Sequence, residues 1–312
     1  MADSSSKGVA EIKRHSSLVN FVLRLVREKP LGMVGAIITL ILLLTGILAD
    51  FLAPYGMNEL HTDDALMAPS VTYWLGTDNI GRDLLSRIIF GARISVIIGL
   101  SAATVATLSS VCIGMLSGYL GGKFDIITQR FVDAWMCFPG LILLMVLISL
   151  IGPSMWSVII VLGLRTGITS SRIVRGATIA IKGNVYIEAS KAVGCSTTRI
   201  LIRHILPNIM APIIILFTTR LPSLILTEAS LSFLGFGIPP PAPSWGGMLS
   251  GSGRTYMFMA PWIVIWPGLA LSIVVYGVNM FGDAVRDILD PRLRGGVGRY
   301  GVRVKKETKE TG

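Results

Sequence analysis

Residues 182–207 read KGNVYIEASKAVGCSTTRILIRHILP, between two long apolar runs. The stretch carries Lys182, Glu188, Lys191, Arg199, Arg203 and His204. A bilayer-spanning helix does not tolerate that density of charge. The segment therefore leaves the membrane, and the apolar runs beside it are spans. Its pattern predicts order rather than a plain linker. Asn184 caps a short helix, Gly194 ends it, and Ser196 caps the next.

The composition agrees. Of 312 residues, 15% are charged, against about 25% in soluble chains. The mean hydropathy is +0.69. These values describe an all-α polytopic membrane protein. The net charge of +10 sits in segments flanking the apolar runs, so it speaks of topology and not of nucleic acid. Cys112, Cys137 and Cys195 share no close spacing, and three scattered histidines suggest no metal site. GGK at 121–123 lacks the spacing of a phosphate loop, and GTDNIGRD at 76–83 lacks the alternating carboxylates of a calcium loop. GTDNIGRD reads instead as a tight turn.

Working outward, six spans are expected. They are Leu31–Leu52, Ile94 to about Leu120, Phe138–Ile151 extended backward by several residues, Met155 to about Thr169, Ile209 to about Thr227, and Trp262–Gly282. The first would reach roughly 33 Å at 1.5 Å per residue, enough for the hydrocarbon core. Gly114, Gly118 and Gly122 form consecutive GxxxG spacings that let helix backbones approach closely. Trp245, in a Pro-rich loop, suits an interface position. Residues 16–29 read either as an interfacial helix or as the basic flank of the first span. Residues 1–15 are polar and read as disordered. The domain plan is 1–30, tail with interfacial helix; 31–92, first span and long external loop; 93–283, five spans with the 182–207 loop; and 284–312, basic tail. Lys and Arg concentrate on the side of the N-terminus, the 123 and 182 loops and the tail, which predicts both termini in the cytoplasm.

Against this background, EASKAVG, nine residues, then HILP resembles the EAA loop of importer-type ABC transporter permeases. Glu188, Ala189, Gly194, Leu206 and Pro207 match that pattern. Ser190 stands where Ala is usual and His204 where Ile is usual. RHILPN at 203–208 is similar to the dipeptide, oligopeptide and nickel permeases. The resemblance continues through LGTDNIGRDLLSRIIFGARIS at 75–95, GGKFD at 121–125, FPG at 138–140, EASLSFLGFG at 228–237, PPPAPSWGGML at 239–249, APW at 260–262, WPGLA at 266–270 and DILDPRLRG at 287–295. It points to the second permease of the pair, with a long first external loop.

The resemblance implies a type I importer fold in a prokaryotic inner membrane. It implies a heterodimer with a homologous permease, two ATP-binding subunits docking on 182–207, an external solute-binding protein and surrounding lipid. ATP and Mg would bind the partner ATPase; this chain would be non-catalytic and hold no cofactor. The coupling residues would be Tyr186, Glu188, Ala189, Ser190, Lys191, Gly194, His204, Leu206 and Pro207. Ala189 and Ala192 permit close approach, and a second helix at 196–206 would pass motion to the fifth span. Candidate pathway or gate residues are Arg165, Arg220, Glu228 and Asn279, since ionisable groups in spans face a pore, pair, or snorkel to water. The competing reading is an ion-gradient-driven secondary transporter or channel, which predicts an internal repeat that the sequence lacks.

Overall fold

A computed structural model describes residues 17–289, with side chains from residue 23. The polar segment 1–15 and the basic tail beyond 289, including most of DILDPRLRG, lie outside the described residues.

Helix α1 (Ser17–Glu28) leads into α2 (Pro30–Ile47), which breaks at Leu48 before the short α3 (Ala49–Leu52). A loop follows to Asp83, whose carboxylate accepts from the Ser86 N–H and starts α4 (Leu84–Leu120). The expected turn at 76–83 is there. Gly76 and Gly81 both have φ +82°. The Asp78 carboxylate accepts from the Ile80 and Arg82 N–H groups. Trp262 donates from Nε1 to the Thr77 carbonyl, fixing the turn on the last span. Its Arg82 pairs with Asp78 at 2.7 Å, and Arg93 pairs with Asp50 at 2.8 Å.

After α4 come α5 (Gly122–Cys137) and α6 (Gly140–Ile151), bent by 94° at Phe138–Pro139. The expected backward extension of the third span from Phe138 is therefore corrected to a bend. Pro139 removes a helical N–H, and α6 alone reaches only roughly 18 Å. Helix α7 (Met155–Lys182) absorbs Arg172 and Arg175, so the fourth span runs past Thr169. Next are α8 (Val185–Ala192) and α9 (Thr197–Arg199), then a π-helical turn (Ile200–Ile205) and a 3-10 turn (Leu206–Ile209). These turns run without a break into α10 (Met210–Phe233), so Thr197–Phe233 is one long helix. Short helices α11 (Trp245–Leu249) and α12 (Ser252–Tyr256) precede α13 (Trp262–Leu289). Among the described residues, five helices are long and apolar enough to cross a membrane, and six if the bent pair α5–α6 counts as one span.

Hydrocarbon surrounding these helices offers little hydrophobic drive for association, so close packing must hold them together. Helices α4 and α7 meet through small residues. A Cβ on Gly114 would strike the Ser171 carbonyl, and one on Gly167 the Ala106 carbonyl. The expected continuation to Gly122 fails. Gly121 has ended α4 at φ +68°, and Gly122 faces open space. Trp245 is not interfacial either. It is buried, donating from Nε1 to the Ile88 carbonyl over the flat face of Gly91.

Candidate functional site: the α8 platform

Helix α8 and its flanks sit at the end of the molecule opposite the 53–83 loop. Asn184 occupies the N-cap, but its side chain makes no capping bond; it donates to the Tyr186 hydroxyl at 3.4 Å. The other end follows the expected pattern closely. Gly194 has φ +80°. Its N–H donates to the Lys191 carbonyl and the Cys195 N–H to the Ser190 carbonyl. That pair of bonds is a Schellman stop, which glycine adopts without Cβ strain. Ser196 then caps α9, accepting from the Arg199 N–H.

One residue seats the helix. Ile187 has 0% exposure, packed with Tyr119, Val174, Ile200, Leu201 and Ile205. This cluster joins the end of α4, α7, α8 and the π-helical turn. It lies at a water-facing loop, where burying an isoleucine contributes about 1.5–3 kcal/mol. Lys182 and Lys191 both stand over the Tyr119 ring, at 5.9 and 5.2 Å from its centroid. Half-buried Cys195 packs on the same cluster.

The opposite face is bare. Tyr186, Glu188 and Ala189 are exposed. So are Val185 at 82% and Val193 at 84%. Two nearly bare valines flanking a short polar helix form an apolar rim suited to a protein partner. The sequence reading passed over both. Ser190 is half-buried and bonds back to its own helix, its hydroxyl donating to the Tyr186 carbonyl at 2.7 Å. On the return limb, the His204 carbonyl accepts from Asn208, Leu206 packs on the Ile187 cluster, and Pro207 is exposed. Leu206 thus supports the platform from within.

A second anchor was also missed. Arg175 on α7 grips Asp125 on α5, from Nε at 2.6 Å and through Nη2. Ser117 donates to the same carboxylate, and Gln129 donates to Ser117. A charged pair fifty residues apart leaves no local signal in one sequence.

The candidate pathway residues divide. Arg165 on α7 and Arg220 on α10 come together closely enough for their charges to repel. The Arg165 guanidinium lies over Gly140, where a Cβ would collide with it. Glu228 is buried two turns further along α10, accepting from the Ser232 hydroxyl at 2.7 Å. Asn279 faces outward on α13 and donates to its own helix at the Val275 carbonyl. Neither joins the arginine pair. No cluster of metal-ligating side chains occurs among the described residues.

Known proteins share this organisation. Residues 110–295 match the family of binding-protein-dependent transport system inner membrane components. Residues 18–69 match the N-terminal TM domain of oligopeptide transport permease C. The dipeptide transport system permease protein DppC of Alkalihalophilus pseudofirmus is 37% identical over 86% of this chain and 88% of its own. The oligopeptide transport system permease protein OppC of Bacillus subtilis is 38% identical with the same coverage. The glutathione transport system permease protein GsiD of Escherichia coli is 36% identical over 86% of this chain and 89% of its own. Among solved structures, an inward-facing MetNI methionine ABC transporter aligns with TM-score 0.52 at 18% identity, covering 65% of this chain and 96% of that one. That likeness concerns the fold. With the spans, the α8 loop and these matches together, the chain belongs to the binding-protein-dependent transport system inner membrane components, as a permease subunit.

Proposed function

We propose that this permease forms half of the translocation pathway of an ATP-driven importer for short peptides. A homologous permease would supply the other half, and an external solute-binding protein would deliver the cargo. Separate ATPase subunits would bind ATP and Mg and dock on 182–207. The observation that carries the reading is the join between platform and span. Helix α8 is seated by Ile187 on the π-helical turn, and that turn continues into α10 without a break. A push on the exposed face of α8 therefore moves a span. A permease of this family needs such a lever, since its own chain carries no nucleotide loop.

Relatives named for dipeptide, oligopeptide and glutathione transport favour peptides over nickel as cargo. Family membership also sets aside the ion-gradient-driven alternative. The concentration of Lys and Arg on the α8 side supports both termini in the cytoplasm of a prokaryotic cell. The test is reconstitution with the partner permease, ATPase and binding protein. Uptake requires ATP, and Glu188→Ala or Gly194→Pro weakens its coupling to hydrolysis. Uptake without ATP, or full coupling in both variants, overturns the reading.

A further inference from the structure

A cleft of about 740 Å³ opens between α7, α10 and α13 on the α8 side of the molecule. Its walls include the small residues Gly176, Ala177 and Ala180 of α7. Into this mostly apolar space, beside Thr219, come Arg220 from α10 and Arg286 from α13. Neither guanidinium makes an ion pair with a carboxylate among the described residues. The nearby carboxylates on α13 do not neutralise them. Asp287 is held by Lys29, and Asp283 does not line the cleft. Arg165 adds its charge beside Arg220. Arg220 and Arg286 thus share one cleft, with no carboxylate paired to either among the described residues.

Arg220 is half-buried and Arg286 exposed, and ionisable groups carried on spans mark the path of a solute or ion. A cleft of this size, mostly apolar with a few convergent polar groups, has the build of a small-ligand site. Guanidinium groups recognise planar oxyanions through two parallel hydrogen bonds. We infer that the Arg220–Arg286 cleft is an anion-receiving chamber that takes the carboxylate of the transported solute, with Arg165 as the next cation along the route. The inference rests on the importer reading for the identity of its solute. Lipid phosphate shares the oxyanion chemistry. Arg220, however, lies roughly 15 Å along α10 from Met210, far for a headgroup to reach.

The test reads the charge of the chamber without requiring transport. In the reconstituted complex, Cys112, Cys137 and Cys195 are changed to Ser and a thiol is placed by Ala177→Cys, with Ala180→Cys as a second probe. Anionic and cationic methanethiosulfonates are then compared. The anionic reagent is favoured about tenfold relative to a free thiol, and Arg220→Gln with Arg286→Gln removes that preference. Millimolar trialanine protects the thiol, and trialanine amide protects several-fold less. Equal reagent preference with and without the arginines overturns the chamber. Equal protection by the two peptides, or by neither, overturns the carboxylate assignment. So does a preference seen in phosphatidylcholine nanodiscs that vanishes when phosphatidylglycerol is added, because lipid then fills the cleft. ATP-independent uptake would reject the importer reading and leave the reagent measurement standing.

Discussion

Arg175 holds Asp125 with two nitrogens, tying α5 to α7 just where both approach the α8 platform. The carboxylate is completed by Ser117 of α4, so three helices meet on one acid. Asp125→Asn keeps the shape and removes the charge. A hydrogen bond to a charged group contributes about 1.5–3 kcal/mol. Asp125→Asn is expected to lower the stability of the purified permease by about that amount, measured as a shift in detergent thermal unfolding. Arg175→Gln should do the same, and the double variant should cost little more than either alone, because both remove one interaction.

The α4–α7 contact is expected to be the least tolerant surface in the membrane. A methyl on Gly114 meets the Ser171 carbonyl and the Val174 Cβ, and backbone cannot step aside as a flexible side chain can. Gly114→Val should abolish the monodisperse species in size-exclusion chromatography. Gly176→Ala, on the same helix as Ser171 but facing open space, should leave it intact.

Gly194 separates conformational strain from crowding. A Cβ there meets nothing, yet φ is +80°. Gly194→Ala should therefore cost about 1–2 kcal/mol through backbone strain alone. Gly194→Asn should cost less, since Asn tolerates left-handed backbone. Hydrogen exchange at the α8 amides reads both.

In the 53–83 loop, burial, together with its hydrogen bond to Asp64, pushes the Tyr73 phenol up to about 12. A raised value means that the neutral phenol is the form stabilised by folding. That contribution is complete below pH 10 and is lost as pH rises through about 12. Difference absorbance between the wild type and Tyr73→Phe should show one phenol ionising near the upper value. A midpoint near 10 would mean that the loop does not enclose it.

The sequence was most informative where a local rule suffices. Gly194 and Ser196 each announce a helix end through their own chemistry, and each end lies there, whereas α4 starts at the Asp83 cap, ten residues before the expected Ile94. Span boundaries were harder, because hydropathy stops at the first arginine while the helix need not. Arg172 and Arg175 are long enough to reach Asp133 and Asp125, so α7 carries on through them. The bend at Pro139 was misread because apolar residues on both sides mimic one span. Trp245 was misplaced because its partner, the bare backbone at Gly91, lies more than 150 residues away. The platform's polar face was legible from its motif, but its valine rim was not. Exposure of Val185 and Val193 depends on Ile187 being the residue that turns inward.

That rim gives the most direct test of α8 as the docking lever. Val185 and Val193 contribute nothing to the interior, so Val185→Asp with Val193→Asp should leave the thermal unfolding of the permease unchanged. The quantity to measure is the ATPase subunit that co-purifies with the permease pair. The coupling account predicts a fall of at least about tenfold, equivalent to roughly 1.4 kcal/mol of lost docking energy. Full retention of the ATPase by the double variant would contradict it.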